Sequence, residues 1–163
     1  MSEVVEFPFK SPEESSGYLL WQVTMLWQRA MKRELDNLDI THTQFVLMSA
    51  LGWLSKENQN VTQIDIANHS NTDRMMVSKV LRTLEEKKVI KRKDHPVDTR
   101  AKVITLTPNG VELLQKALVV VRNVDTTFFD ALGPYRPIVD LNLKTLFEKN
   151  SEESFSSNDV EGK

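Results

Sequence analysis

A mainly helical fold carrying one small β-hairpin is what this sequence predicts, on three observations. Apolar residues recur at helical spacing in successive stretches, most of them opened by a Ser, Thr or Asp that can cap a helix. Residues 89–106 break that pattern with two short β-rich runs around a turn. The chain has 163 residues, 40% hydrophobic and 27% charged, which suits one soluble domain. No apolar run approaches the ~18 residues of a membrane span. Met1–Lys10 lacks the basic-then-apolar order of a signal peptide. With no cysteine, disulfides, zinc-thiolate sites and thiol redox chemistry are excluded. A soluble, cytoplasmic protein without a membrane partner is expected.

Ser11-Pro12-Glu13-Glu14 reads as the start of a first helix running to about Asn37. Its apolar residues nearly encircle its middle turns, more than one buried face requires. Thr41 or Thr43 caps a second helix to about Ser55, with Phe45, Val46, Met48, Leu51 and Leu54 inward. After a polar turn over Lys56–Asn60, Thr62 caps a short third helix that buries Ile64, Ile66 and Ala67 and ends near His69. Asn71-Thr72-Asp73 opens a fourth helix to about Lys87, in which Val77, Val80, Leu81 and Leu84 follow the i, i+3, i+4, i+7 spacing of one buried face. Arg74, Met75, Ser78, Lys79 and Arg82 then fall on the opposite side.

Val89–Lys93 and Ala101–Leu106 are strand candidates around a turn with Pro96, Asp98 and Arg100. Thr107-Pro108 opens a fifth helix with Leu113, Leu114, Ala117, Leu118, Val121, Val124, Phe128 and Phe129 inward, ended by Gly133-Pro134. A last helix spans about Ile138–Glu148. Asn150–Lys163 is polar and without periodicity, and is expected to be disordered.

Charge is unevenly placed. Between Thr72 and Lys102 stand ten basic residues and five acids, a net +5, while the other 132 residues carry −7. A basic island on an acidic body suits a polyanion surface. Three helices, the last basic on its outer face, followed by a hairpin with basic ends make a winged helix-turn-helix. Such a helix fits the major groove of DNA, and a hairpin reaches the neighbouring backbone or minor groove.

The stretch from Leu38 to Gly110 resembles the MarR family of bacterial transcription regulators. The resemblance rests on Ile40-Thr41-His42-Thr43-Gln44-Phe45, Val61-Thr62-Gln63-Ile64-Asp65-Ile66-Ala67 and Val77-Ser78-Lys79-Val80-Leu81-Arg82-Thr83-Leu84-Glu85. It continues through Val89-Ile90-Lys91-Arg92, Asp98-Thr99-Arg100-Ala101-Lys102 and Ile104-Thr105-Leu106-Thr107-Pro108-Asn109-Gly110. Thr99 stands where the family commonly has a basic residue. The resemblance implies that Arg100 enters the minor groove and that Asp98 orients it through a salt bridge. The expected DNA contacts are Thr72, Arg74, Met75, Ser78, Lys79, Arg82, Lys91, Arg92, Lys93, His95, Asp98, Arg100 and Lys102.

The resemblance further implies a homodimer built by the terminal helices, reading an inverted-repeat operator in double-stranded DNA, and agrees with their excess apolar surface. Residues 1–38 are accordingly read as an N-terminal arm and dimerisation helix, 39–107 as the DNA-binding lobe, 108–149 as C-terminal dimerisation helices and 150–163 as the tail. Family members are often released from DNA by a small, frequently aromatic, acid. Trp21, Met25, Trp27, Met48 and Trp53 are candidates to line such a pocket. Neither cofactor nor metal is expected: His42, His69 and His95 show no metal-ligand spacing, and no catalytic motif appears. The function predicted is sequence-specific transcriptional regulation, as a repressor released by a small-molecule effector. The alternative is a winged-helix protein-interaction module without DNA binding.

Overall fold

A computed structural model describes residues 5–98 and 100–156 of the chain, with side chains through Ser151. Six helices and one hairpin follow the order α1 (Ser16–Leu35), α2 (His42–Leu54), α3 (Gln63–Ser70), α4 (Arg74–Glu86), β1 (Ile90–Asp94), β2 (Lys102–Leu106), α5 (Pro108–Phe129) and α6 (Arg136–Ser156). The expected fold class is the observed one.

Local chemistry sets the helix starts. Ser15, not Ser11, caps α1, its side chain accepting from the Tyr18 amide, while Pro12–Glu14 form a separate 3-10 turn. Thr41 caps α2 and Thr62 caps α3, each in a reciprocal capping box, with Gln44 and Asp65 respectively. Asp73 caps α4, its carboxylate accepting from the Met75 and Met76 amides. Three helix ends are closed by a Schellman pair of backbone bonds around a left-handed residue: Asp39 after the 3-10 turn that follows α1, Asn71 after α3 and Lys88 after α4. None is a glycine.

Residues up to Val124 form one compact unit and those from Asp125 another. In the first, one core gathers Met31 and Leu35 of α1, Leu47, Met48 and Leu51 of α2, Ile66 of α3, Val77, Leu81 and Leu84 of α4, Ile90 and Ile104 of the hairpin, and Leu114 and Ala117 of α5. Two expectations about this core fail. Ile64 is 50% exposed and Leu118 48% exposed. Ile64 faces a cleft beside the hairpin, and Leu118 faces a pocket, so helical spacing alone misassigned both.

β1 and β2 pair antiparallel, Ile90 opposite Leu106 and Asp94 opposite Lys102. β2 is tied on its other edge to the segment before α3: Thr62 bridges Val103, and the Ile104 amide donates to the Val61 carbonyl at 2.8 Å. The hairpin is therefore anchored to the helical lobe at its base. Thr107 opens α5, accepting from the Gly110 amide at 3.0 Å and donating to the Lys88 carbonyl at 2.8 Å. Gly110 lies so close to the hairpin that a Cβ there would meet the Val89 carbonyl oxygen at 1.9 Å.

In the second unit Arg136 stacks its guanidinium on Phe129, 5.9 Å from the ring centroid, and lies 3.4 Å from Asp130. α6 starts at Arg136, two residues earlier than expected, because Pro137 is tolerated in a first helical turn. It continues to Ser156, so residues 150–156 of the expected disordered tail are helical; residues 157–163 and Thr99 lie outside the described residues.

Candidate nucleic-acid interface

The helix-turn-helix begins with α3, whose short turn to α4 is held by the Thr72 amide bonding the Ala67 carbonyl and by Asn71 in its left-handed conformation. Gln63, which no local sequence signal marks, donates from Nε2 to the Arg74 carbonyl at 3.3 Å and ties the two helices at the start of α4. The buried stripe Val77, Leu81 and Leu84 fixes the rotation of α4 about its axis. At about 100° per residue, Met75, Lys79 and Arg82 then project within about 50° of the direction opposite the core. All three are exposed, as is Arg74 on the flank, while Ser78 is half-buried. Glu86 continues the same outward row, so the basic surface is confined to the first nine residues of the helix.

The expected contacts divide according to what already holds them. Arg74, Lys79, Arg82, Lys91, Lys93 and Arg100 are exposed and have no ion-pair partner among the described residues. Arg92 is different. Alternation along β1 turns it to the side of Ile90, its side chain is 24% exposed, and its Nε lies 3.2 Å from Glu85 Oε2. Lys102 is paired with Asp94 directly across the hairpin. The Thr72 hydroxyl donates to the Ser70 carbonyl at 3.1 Å, inside the turn.

The wing tip corrects one expectation. No ion pair joins Asp98 to Arg100 among the described residues; Asp98 Oδ1 instead accepts the Arg100 backbone amide at 2.9 Å. A carboxylate that bonds an amide two residues on shapes the turn itself, so Asp98 positions Arg100 through the backbone. His95 supports the same turn: its Nδ1 accepts from the amides of Val97 and Asp98, at 3.2 and 3.0 Å. The Arg100 side chain is left exposed beside the cleft between the wing and the start of α3.

The five pocket candidates do not come together. Met48 is fully buried in the core, and Trp27 packs edge-on against His42 with centroids 4.9 Å apart. Trp21 is exposed on α1 and Met25 half-buried there. Trp53 alone lines a pocket of about 810 Å³ between the end of α2, β2 and α5, with Gly52, Leu106, Leu114 and Leu118 among its apolar walls. Lys56 Nζ sits 4.0 Å over the Trp53 ring at its edge. Ser49, also in the wall, has a buried hydroxyl with no hydrogen-bond partner. Periodicity could not reveal this pocket, because its walls come from three elements distant in sequence.

Among the described residues no group of side chains could hold a metal ion, and no helix is long and apolar enough to cross a membrane. The ArnR1-like winged-helix domain matches residues 36–125, more than half of the chain and the whole of the surface just described. The chain belongs to this family of winged-helix regulators. It is 42% identical over 123 residues to the uncharacterised helix-turn-helix transcriptional regulator YdcH of Bacillus subtilis, covering 76% of this chain and 84% of that one. The winged-helix fold also matches solved MarR-family structures. S. aureus MepR, in a structure with DNA, is 28% identical with a TM-score of 0.73, covering 83% of this chain and 98% of that one. BpsR of Bordetella bronchiseptica, whose DNA binding is described as regulated by 6-hydroxynicotinic acid, is 21% identical with a TM-score of 0.75, covering 87% and 98%. The MarR resemblance read from the sequence holds, and relatives and fold alike are those of transcription regulators, not of enzymes.

Proposed function

We propose that this winged-helix regulator binds double-stranded DNA as a homodimer, recognises an inverted-repeat operator and represses transcription until a small effector releases it. The observation that carries the reading is the row Lys79 and Arg82 on the outward face of α4, with Arg74 beside it and Arg100 on the wing, all exposed and without acidic partners among the described residues. Cations held on a rigid helix and left unpaired are available to phosphates and base edges. In this reading α4 enters the major groove and the wing carries Arg100 to the adjoining backbone or minor groove. Lys91 and Lys93 add backbone contacts.

Dimerisation is supported by apolar side chains that each unit leaves exposed. α1 displays Leu19, Leu20, Trp21, Val23 and Leu26, and α6 displays Ile138, Leu141, Leu146 and Phe147. So much apolar surface along a helix marks an interaction face, and a two-fold pair sets two recognition helices about one DNA turn apart. The effector reading is supported by the pocket at Trp53. Its apolar walls, unpartnered Ser49 hydroxyl and Lys56 ammonium suit a small aromatic acid.

The test is a titration of the purified protein against the DNA flanking its own gene at two salt concentrations, with light scattering for the assembly. Tight, steeply salt-dependent binding by a dimer, exceeding that to unrelated DNA, is expected. No binding at low salt by effector-free protein overturns the reading and favours a protein-interaction module.

A further inference from the structure

On the outward row of α4, otherwise charged, stands one large apolar side chain; Met76, 50% exposed, lies about 100° round the helix from it. Met75 is 82% exposed, in the first turn of α4. The core makes no use of it: Val77, Leu81 and Leu84 point the opposite way, and at about 100° per residue Met75 lies about 160° round the helix from Val77. Its position is fixed all the same. The Met75 amide donates to Asp73 Oδ1 at 2.9 Å, and Gln63 holds the preceding carbonyl, so the first turn is pinned to the N-cap and to α3. Lys79 one turn on and Arg82 two turns on share its row.

A thioether forms no ion pair and no useful hydrogen bond with a phosphate, so Met75 adds nothing to backbone attraction. What it offers DNA is apolar contact. Of the base edges in the major groove, only thymine presents an apolar projection, its C5 methyl. We infer that Met75 is a specificity residue that reads a thymine methyl in each half-site, while the cations of the same row anchor the helix to phosphates. This rests on the DNA-binding reading above and adds to it which base the first turn of α4 selects.

The experiment starts from a duplex selected by the full-length protein out of a randomised pool. Each thymine of the selected site is then replaced, together with its counterpart in the other half-site, by deoxyuridine, which removes the methyl group and keeps the pairing edge. For one such pair the replacement is expected to weaken binding by about threefold to tenfold per half-site, the worth of one buried methyl. Met75→Ala is expected to lose a similar factor on the thymine duplex and nothing further on the deoxyuridine duplex. Met75→Leu, still apolar, is expected to keep the methyl preference. Equal affinity of the unmodified protein for both duplexes overturns the inference and leaves DNA binding standing. So does a Met75→Ala loss that is the same on both. A protein that selects no duplex overturns the DNA-binding reading itself, and this inference with it.

Discussion

Replacing Arg100 with alanine tests whether the exposed cation of the wing meets DNA without holding the fold. Its side chain is exposed, no acid pairs with it among the described residues, and the hydrogen bond from this position to Asp98 uses the backbone amide. Stability should therefore stay within about 0.5 kcal/mol of the parent. Affinity should fall by about 1–3 kcal/mol for each arginine withdrawn from the DNA. In a homodimer the change acts once in each half-site. Removing one cation from a phosphate flattens the dependence of log affinity on log salt by about 0.9, so removing two flattens it by about 1.8. Between about 50 and 200 mM salt the advantage of the parent protein should thus shrink by about twelvefold. Fluorescence anisotropy on a labelled operator at four salt concentrations, beside urea melts of both proteins, reads both quantities. Unchanged affinity refutes the assignment of the wing; an affinity loss that tracks a stability loss refutes the claim that Arg100 is free of the fold. Arg92→Ala supplies the contrast. Its side chain is packed beside Glu85 and only 24% exposed, so its removal should cost about 1 kcal/mol of stability in the same melts, through lost packing and the lost ion pair.

Three further substitutions test how the lobe is held. Gly110→Ala would place a methyl 1.9 Å from the Val89 carbonyl oxygen, which also accepts the Thr107 amide, so the joint between hairpin and α5 must open. A loss of about 3–5 kcal/mol is expected in chemical denaturation, and a loss below about 1 kcal/mol would refute the close approach. Lys88→Gly relieves a left-handed backbone at φ 59° and should raise stability by about 1 kcal/mol, read as a higher urea midpoint. Ser49→Ala removes a buried hydroxyl that has no partner, so effector-free protein should be unchanged or more stable by about 1 kcal/mol. The same variant should respond less to an aromatic acid in the DNA-binding assay, and an undiminished response removes Ser49 from the effector site.

What the sequence made legible was local. Capping boxes at Thr41 and Thr62 and the stripe Val77, Val80, Leu81, Leu84 are complete within one helix each, so α2, α3, α4 and the outer face of α4 are readable from residue order alone. The helix ends are harder, since glycine is the usual sign and here Asp39, Asn71 and Lys88 take the left-handed position. The Gly110 signature is visible as a motif, but its reason is not: the carbonyl it makes room for lies twenty-one residues earlier, at Val89. Asp98 and Arg100 are correctly paired by sequence and wrongly paired in chemistry, because whether a carboxylate meets a side chain or a backbone amide depends on turn geometry. The pocket at Trp53 escapes entirely, since it exists only where α2, β2 and α5 converge.

The basic island itself shows how composition overstates a surface. Of its ten cations, Lys87 is bound to Asp39, Arg92 to Glu85 and Lys102 to Asp94. Each of these pairs ties an element to its neighbour: the end of α4 to the turn before α2, β1 to α4, and β1 to β2. Seven cations of the island remain without an acidic partner among the described residues, so the two islands of a dimer can offer at most about fourteen to phosphates, and contribute no more than about 13 to its salt slope. Lys88 lies beyond Glu86, outside the outward row, and without it the ceiling falls to about 11. A slope above the bound would mean that the three paired cations, or cations outside the island, are also spent on the complex.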